Sequence, residues 1–345
     1  MKPRKKKKRQ FRQAFARFLQ LLLPSRNGAA TFNGKLNSVA ILAQEKLGDC
    51  VLLTPLIRNL RRAYPDLEIH IIAFSRESAT FFLNDPDVTA IHQAKKKPTD
   101  FFKNVLIRKF DLLFNTKDHP SAHFLLQSVL IPANFRVGHR NPFHEHLYDR
   151  LIDLDYHTHM SLKNCALLDV LGIHYGLEEC RPSLSPQPLS DELHHFLSQL
   201  CDKKVTGINI SAGEPNRTWP EKNWTQLLER FPNRKFVVLS GPAETEVKAK
   251  IERICHNTLA SPPTANLYEV LRIVEKLDLL ITPDTSLIHI ASATKTPIVG
   301  LYRQAPQDIT RFGPFLIQNE LTISKTGDVS GIQISTVVSA IKKMV

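Results

Sequence analysis

Three side chains suited to group-transfer chemistry, Asp49, Arg217 and Asp284, each sit where an apolar run gives way to a helix-like one. The first lies in LGDC, residues 47–50, the second in SAGEPNRTWPEKNW, residues 211–224, and the third in LLITPDTSLIHIASATKTPIVGLY, residues 279–302. A carboxylate such as Asp49, placed at the floor of a cleft, can take a proton from a hydroxyl as that hydroxyl forms a bond, and partial burial there would nudge its pKa upward. The same residue also reads as an N-cap or first-turn acid, and the sequence leaves both readings open. Gly48 before it permits a tight turn or a close approach by a ligand.

Arg217 carries a planar fork of donors that matches a diphosphate, with solvation of the side chain as the other reading. Ser211 and Thr218 flank it with hydroxyls. Asp284 precedes Thr285, Ser286 and Leu287, whose N–H groups open a helix and form an anion-binding end. His289, one turn into that helix, reads as a ring tied to nearby backbone. Trp219 and Trp224, the only tryptophans, read as packing around a helix start. The stretches HPSAH and HTH suggest metal ligands, but neither comes with a carboxylate set. GxGxxG, GxxxxGK[ST] and GxSxG are absent from the sequence, which argues against dinucleotide oxidoreductases, P-loop NTPases and elbow hydrolases.

The elements that must hold these residues alternate. Strand-like NSVAILA, LEIHIIAF, FDLLFNT and NFRVGH are interleaved with helical LGDCVLLTPLIRNLRRAYP, SRESATFFLND and HPSAHFLLQSVL, and SLKNCALLDVL closes the half as a helix. A second half repeats the pattern from VTGINIS to PIVGLY, and STVVSAIKKM forms a terminal helix that can pack on either half. This predicts an α/β protein with two Rossmann-like domains facing across a cleft lined by strand C-termini and helix N-termini. The expected boundaries are an arm over 1–34, a first Rossmann-like domain over 35–175, a linker over 176–204, a second Rossmann-like domain over 205–330 and a helix over 331–345.

Length agrees: 345 residues is comfortable for two domains of about 150 each. Five widely spaced cysteines (50, 165, 180, 201 and 255) read as reduced, buried thiols in a cytoplasmic protein. The net charge of +13 is concentrated: nine Lys or Arg fall within the first 17 residues, leaving +4 on the other 328. FRQAFARFLQLLL follows, with Phe11, Phe15, Phe18 and Leu22 at helical spacing. A basic amphipathic helix of this kind suits an anionic membrane surface, with a solubilising tail as the competing reading. It is too short and too interrupted to span a bilayer, and no basic-aromatic surface elsewhere favours nucleic acid.

Three motifs in order then carry a resemblance. LGDCVLLTPLIRNLRRAYPDLEIHII, RTWPEKNW and PDTSLIHIASATKTPIVGLY resemble the motifs of the ADP-heptose:lipopolysaccharide heptosyltransferase family, glycosyltransferase family 9. The resemblance spans residues 37 to about 314. It implies a GT-B fold and inverting, metal- and cofactor-independent transfer of heptose from ADP-heptose to the inner core of lipopolysaccharide or lipooligosaccharide. It further implies Asp49 as the base, Arg217 as a diphosphate ligand, Asp284 as a contact to the donor sugar, Thr285 near the phosphates and His289 as a shaper of the loop. The expected partners are a nucleotide sugar, a lipid A-core acceptor and the inner membrane of a Gram-negative bacterium, bound peripherally through the arm. Two departures stand out. Ser286 replaces the usual glycine, and Arg303-Gln304-Ala305-Pro306 replaces a small turn, leaving Arg303 either on the donor or in solvent. A family member using another nucleotide sugar, or a non-catalytic nucleotide-sugar-binding protein, are the alternatives.

Overall fold

The structure is a computed structural model that describes residues 3–94, 96–200 and 204–345, and of residues 3–9 the backbone alone. Cys201 and the basic side chains ahead of Gln10 therefore lie outside the described residues. The chain divides into two compact units, Met1–Cys180 and Arg181–Val345.

The first unit runs α1 (Pro3–Leu22), β1 (Ser38–Ala43), α2 (Leu47–Val51), α3 (Thr54–Ala63), β2 (Glu68–Ala73), α4 (Arg76–Phe82), β3 (Ala90–His92), α5 (Pro98–Phe101), β4 (Phe110–Asn115), α6 (Ala122–Leu130), β5 (Ala133–His139), β6 (Arg150–Ile152) and α7 (Met160–Val170). Its six strands are all parallel, in the order β3-β2-β1-β4-β5-β6. The central strand SVAILA is buried at every position, as a parallel strand covered by helices on both faces must be.

The second unit contains α8 (Asp191–Gln199), β7 (Val205–Asn209), α9 (Glu221–Glu229), β8 (Lys235–Leu239), α10 (Thr245–Ile254), β9 (Thr258–Leu259), α11 (Leu267–Val274), β10 (Leu279–Pro283), α12 (Ser286–Thr294), β11 (Ile298–Tyr302), α13 (Pro306–Phe312), β12 (Asn319–Ile323) and α14 (Ile334–Met344). Its sheet, β12-β11-β10-β7-β8-β9, is again wholly parallel. Counted from its own first strand, this is the same order as in the first unit, the order of a Rossmann sheet. Each unit thus has one place where chain progression reverses direction: between β1 and β4 in the first, between β7 and β10 in the second. The expected α/β fold of two Rossmann-like units, the GT-B type, is what the chain adopts.

Several details differ from the sequence pattern. The helix expected after Leu47 is two helices. Pro55 has no N–H to donate to the Val51 carbonyl, and the Thr54 hydroxyl takes that carbonyl instead at 2.8 Å. The stretch read as a linker holds a 3-10 turn, Leu177–Cys180, and the helix α8, capped by Ser190. Just past the division, buried Arg181 donates to the carbonyls of Ser292 (2.8 Å), Phe315 (3.2 Å) and Leu316 (2.9 Å), which fastens this segment to the second unit. The pattern also missed α13 and the edge strand β12, whose alternation is too weak to read as a buried strand.

Helix α14 belongs to the second unit. Its Val337, Ala340 and Ile341 share one core with Trp219, Trp224, Leu227 and Phe236. The two tryptophan rings meet edge to face, centroids 4.7 Å apart, and the Trp219 indole donates to the Ile332 carbonyl at 3.0 Å.

The arm packs on the first unit. Ala16 is buried with Leu125, Phe143, Leu147, Tyr148 and Leu151, and Leu19 and Leu23 pack beside it. The Gln20 amide donates to the carbonyls of Pro142 (3.2 Å) and Glu145 (3.1 Å). The opposite side of the helix leaves Phe11, Phe18, Leu21 and Leu22 exposed. Among the described residues no helix is long and apolar enough to cross a membrane. Cys50, Cys165, Cys180 and Cys255 are buried thiols outside any disulfide.

Replacing Trp219 by alanine removes a fully buried indole, its ring partner and its hydrogen bond. We expect a loss of about 3–5 kcal/mol of stability, read as a lower denaturation midpoint on the second unit's transition; an unchanged midpoint would contradict the packing described.

Candidate functional site

In an open parallel sheet, ligands bind beyond the strand C-termini at the place where strand order reverses. The sequence-predicted residues lie at both of those places. In the first unit, β1 leads into α2, and Asp49 stands in the first turn of that helix. It is not the N-cap: Lys46 holds that position and makes no side-chain cap. Gly48 is helical too, so it meets no demand for a left-handed turn, and its small size is what remains to explain it.

Asp49 is only partly exposed, and its surroundings are dense. Desolvation raises its carboxyl above the usual range; the Lys117 and Lys46 ammonium groups pull it down, Glu45 pushes it up, and His119 pulls it down. Lys117 is a residue the sequence reading passed over. It follows β4 directly, and its position after the strand pairing with β1 was the available signal. Its Nζ donates to Gln44 Oε1 at 2.8 Å, while Gln44 Nε2 donates to the Thr116 carbonyl at 3.3 Å and the Thr116 hydroxyl to the Leu42 carbonyl at 2.7 Å. These bonds stitch the tips of β1 and β4 together. The next residue, Asp118, pairs with Lys163 at 2.7 Å; both side chains are buried, which anchors the loop carrying Lys117. The result is a desolvated carboxylate beside fixed cations.

In the second unit, Asn209 at the end of β7 bridges to β10. Its Nδ2 donates to Thr282 Oγ1 at 3.0 Å and to Thr285 Oγ1 at 3.1 Å. Thr285 is the N-cap of α12, accepting from the Leu287 N–H at 3.3 Å. Ser286 is the first helical residue and half-buried, and His289 is buried one turn on. Ser211 ties the loops after β7 and β8 together by donating to Glu244 at 2.7 Å.

Arg217, Asp284 and Arg303 come together, joined by Asp308, which the sequence reading did not single out. Arg217 Nη1 lies 3.1 Å from Asp284 Oδ2 and donates to the Asp284 carbonyl at 3.2 Å. Its Nη2 lies 3.5 Å from Asp308 Oδ2. Arg303 sets Nε and Nη2 on the same oxygen, each at 2.9 Å. Arg303 is therefore neither loose in solvent nor directed away from the site. The Tyr302 hydroxyl is buried beside this group; burial foremost, and Asp284 after it, push the phenol well above its ordinary value. Thr218 is exposed; its hydroxyl donates to the Glu214 carbonyl at 3.5 Å and its N–H to the Pro215 carbonyl at 3.2 Å, so it stands apart from the network.

Chemically, one unit offers a carboxylate suited to removing a proton. The other offers two guanidinium groups beside the start of a nine-residue helix, a combination that receives an anionic leaving group.

The family model described as glycosyltransferase family 9 (heptosyltransferase) matches residues 99–330. A family of unknown function, DUF6913, matches residues 9–167. Asp49 lies outside the first match. The chain is 26% identical over 301 residues to lipopolysaccharide core heptosyltransferase OpsX of Haemophilus influenzae, covering 77% of this chain and 78% of the relative. It is 22% identical over 280 residues to lipopolysaccharide heptosyltransferase 3 of Escherichia coli, covering 74% and 80%. In fold it is similar to the structure of E. coli heptosyltransferase WaaC with ADP-2-deoxy-2-fluoro heptose: TM-score 0.67 at 15% identity, covering 89% of this chain and 100% of that one.

The raised carboxyl of Asp49 sets two expectations. In the folded protein it holds its proton to higher pH than in the unfolded chain, so its contribution to stability is present at low pH and is lost as pH rises through the folded value. Asp49→Asn should therefore melt at or above the wild-type temperature at pH 7.5, while turnover falls about 10²–10⁴-fold. Removing the Lys117 charge, as in Lys117→Met, should push that carboxyl up further and move the acidic limb of the kcat/KM profile to higher pH. A limb that stays in place, or moves down, would contradict the electrostatics described.

Proposed function

The chain belongs to glycosyltransferase family 9, and from that premise we propose that it is an inverting heptosyltransferase, transferring heptose from ADP-heptose to the inner core of lipopolysaccharide or lipooligosaccharide. The observation that carries this reading is the placement of Arg217 and Asp284 beside the α12 N-terminus, at the strand-order reversal of the second sheet.

The reaction forms a bond from an acceptor hydroxyl to the anomeric carbon and breaks the bond from that carbon to the donor phosphate. Asp49 takes the hydroxyl proton. ADP leaves with the electron pair, and its growing charge is met by Arg217 and the N–H groups at the start of α12. Asp284, held against Arg217, orients hydroxyls of the donor sugar. Thr285 and Ser211 fix the loops around the diphosphate through bonds to neighbouring elements, and His289 supports the helix from within. Fixed cations and a helix end supply the stabilisation, so no metal ion or other cofactor takes part. A different nucleotide sugar is the second reading, favoured by the Arg303–Asp308 fork that stands beside Arg217 in this chain.

The arm gives the protein a cytoplasmic, peripheral place on the inner membrane of a Gram-negative bacterium. Nine cations in the first 17 residues attract anionic lipid. The exposed Phe11, Phe18, Leu21 and Leu22 would enter the interface. Because Ala16, Leu19 and Gln20 hold the other side of α1 to the first unit, membrane contact would present that unit to a lipid-linked acceptor.

Purified protein supplied with core-truncated lipopolysaccharide and a panel of nucleotide sugars, with EDTA present, should add one heptose mass from ADP-heptose. Transfer from another donor alone would replace the donor assignment, and silence with all donors on several acceptors would remove the enzymatic reading. In flotation with phosphatidylglycerol-containing vesicles, binding should fall with salt and drop on Phe11→Ser/Phe18→Ser substitution; salt-insensitive, unaltered binding would contradict the arm's role.

A further inference from the structure

Resting on that reading, and extending it to residues it does not assign, we propose that Asp308 is a positioning residue that holds Arg303 beside Arg217, so that two guanidinium groups rather than one receive the donor diphosphate.

The sequence alone left Arg303 undecided between ligand and solvent. The geometry decides it. Arg303 lies one residue beyond the end of β11, the strand paired with β10. Asp308 is in the first turn of α13 and is 8% exposed. A single oxygen, Asp308 Oδ2, accepts both Nε and Nη2 of Arg303 at 2.9 Å and lies 3.5 Å from Arg217 Nη2. One carboxylate therefore bridges two cations that would otherwise repel each other across a short gap. Without it, Arg303, whose side chain is 25% exposed, would regain its rotamer freedom and turn to water.

Within the network Arg217 and Arg303 face Asp284 and Asp308, and Glu214 adds a further negative charge near Arg303. An entering diphosphate would meet a pair of guanidinium groups already oriented, Arg303 through the bonds of its Nε and Nη2 to Asp308. That is the arrangement of a bound anion supported from behind by a carboxylate. The opposite role is also physically definite. If Asp308 instead competed with the diphosphate for the arginines, removing it would tighten binding. The sign of one measurement separates the two.

Titration calorimetry with ADP and with AMP on the full chain makes that measurement, using wild type, Arg303→Ala, Asp308→Ala, Asp308→Asn and the Arg303→Ala/Asp308→Ala pair. Each single variant should lose about tenfold to a hundredfold in ADP affinity while AMP affinity changes far less. The double variant should lose little more than Arg303→Ala, since the two residues act as one unit. Asp308→Asn, which keeps volume without charge, should behave as the alanine variant does, and it guards against a variant that fails to fold. Unchanged or tighter ADP binding on removing Asp308, additive losses, or equal losses for ADP and AMP would each overturn the proposal. If wild type prefers UDP to ADP, the donor assignment falls, and the same variants tested with UDP and UMP still judge Asp308. If wild type binds no nucleoside diphosphate, the proposal falls as well.

Discussion

A wholly parallel sheet puts every strand C-terminus, and the start of every following helix, at one edge. Reversing the strand order once opens that edge between two central strands. This constraint acts twice in the chain, between β1 and β4 and between β7 and β10. Every group assigned to chemistry depends on it. Asp49 and Lys117 are brought together because β1 pairs with β4. Asn209 reaches Thr285 because β7 pairs with β10, and Arg303 reaches the Arg217–Asp284 pair because β11 lies next to β10.

The two reversal points are electrostatically unlike. In the first unit a carboxylate is desolvated more than its neighbouring lysines compensate, which leaves it proton-avid. That costs stability at neutral pH and, on the proposed mechanism, supplies the base for the acceptor hydroxyl. In the second unit Arg217 and Arg303 are each held by carboxylate oxygens of Asp284 and Asp308. Such pre-organisation avoids reorganisation as charge develops on a leaving group. The first reversal point thus holds a carboxylate that favours its proton, and the second holds guanidinium groups paired with carboxylates.

Much of this was legible in the sequence. Apolar runs such as SVAILA and LLITP have no polar face, which signals strands buried on both sides and hence a parallel sheet with covering helices. Asp49 and Asp284 were found because each stands where such a run gives way to the next helix, and Arg217 because it lies in the loop between a run and the following helix. Lys117 was missed because nothing in FNTKDHP marks the lysine until β4 is known to pair with β1. Asp308 was missed for a different reason: α13 is short, and its acid matters only through two arginines, one of them 91 residues earlier in the chain. The break between α2 and α3 follows from Pro55, so it was available and overlooked. The arm's docking was not available, because a helix with apolar residues around much of its circumference does not announce which of them meet protein.

On this reading the donor diphosphate binds at the strand-order reversal of the second sheet, and a crystal structure of the protein with ADP is the decisive measurement. The diphosphate is expected at the N-terminal end of α12, with phosphate oxygens within about 3.2 Å of Arg217 nitrogens. A diphosphate bound elsewhere, with the Arg217–Asp284 pair undisturbed and remote from it, would rule that placement out.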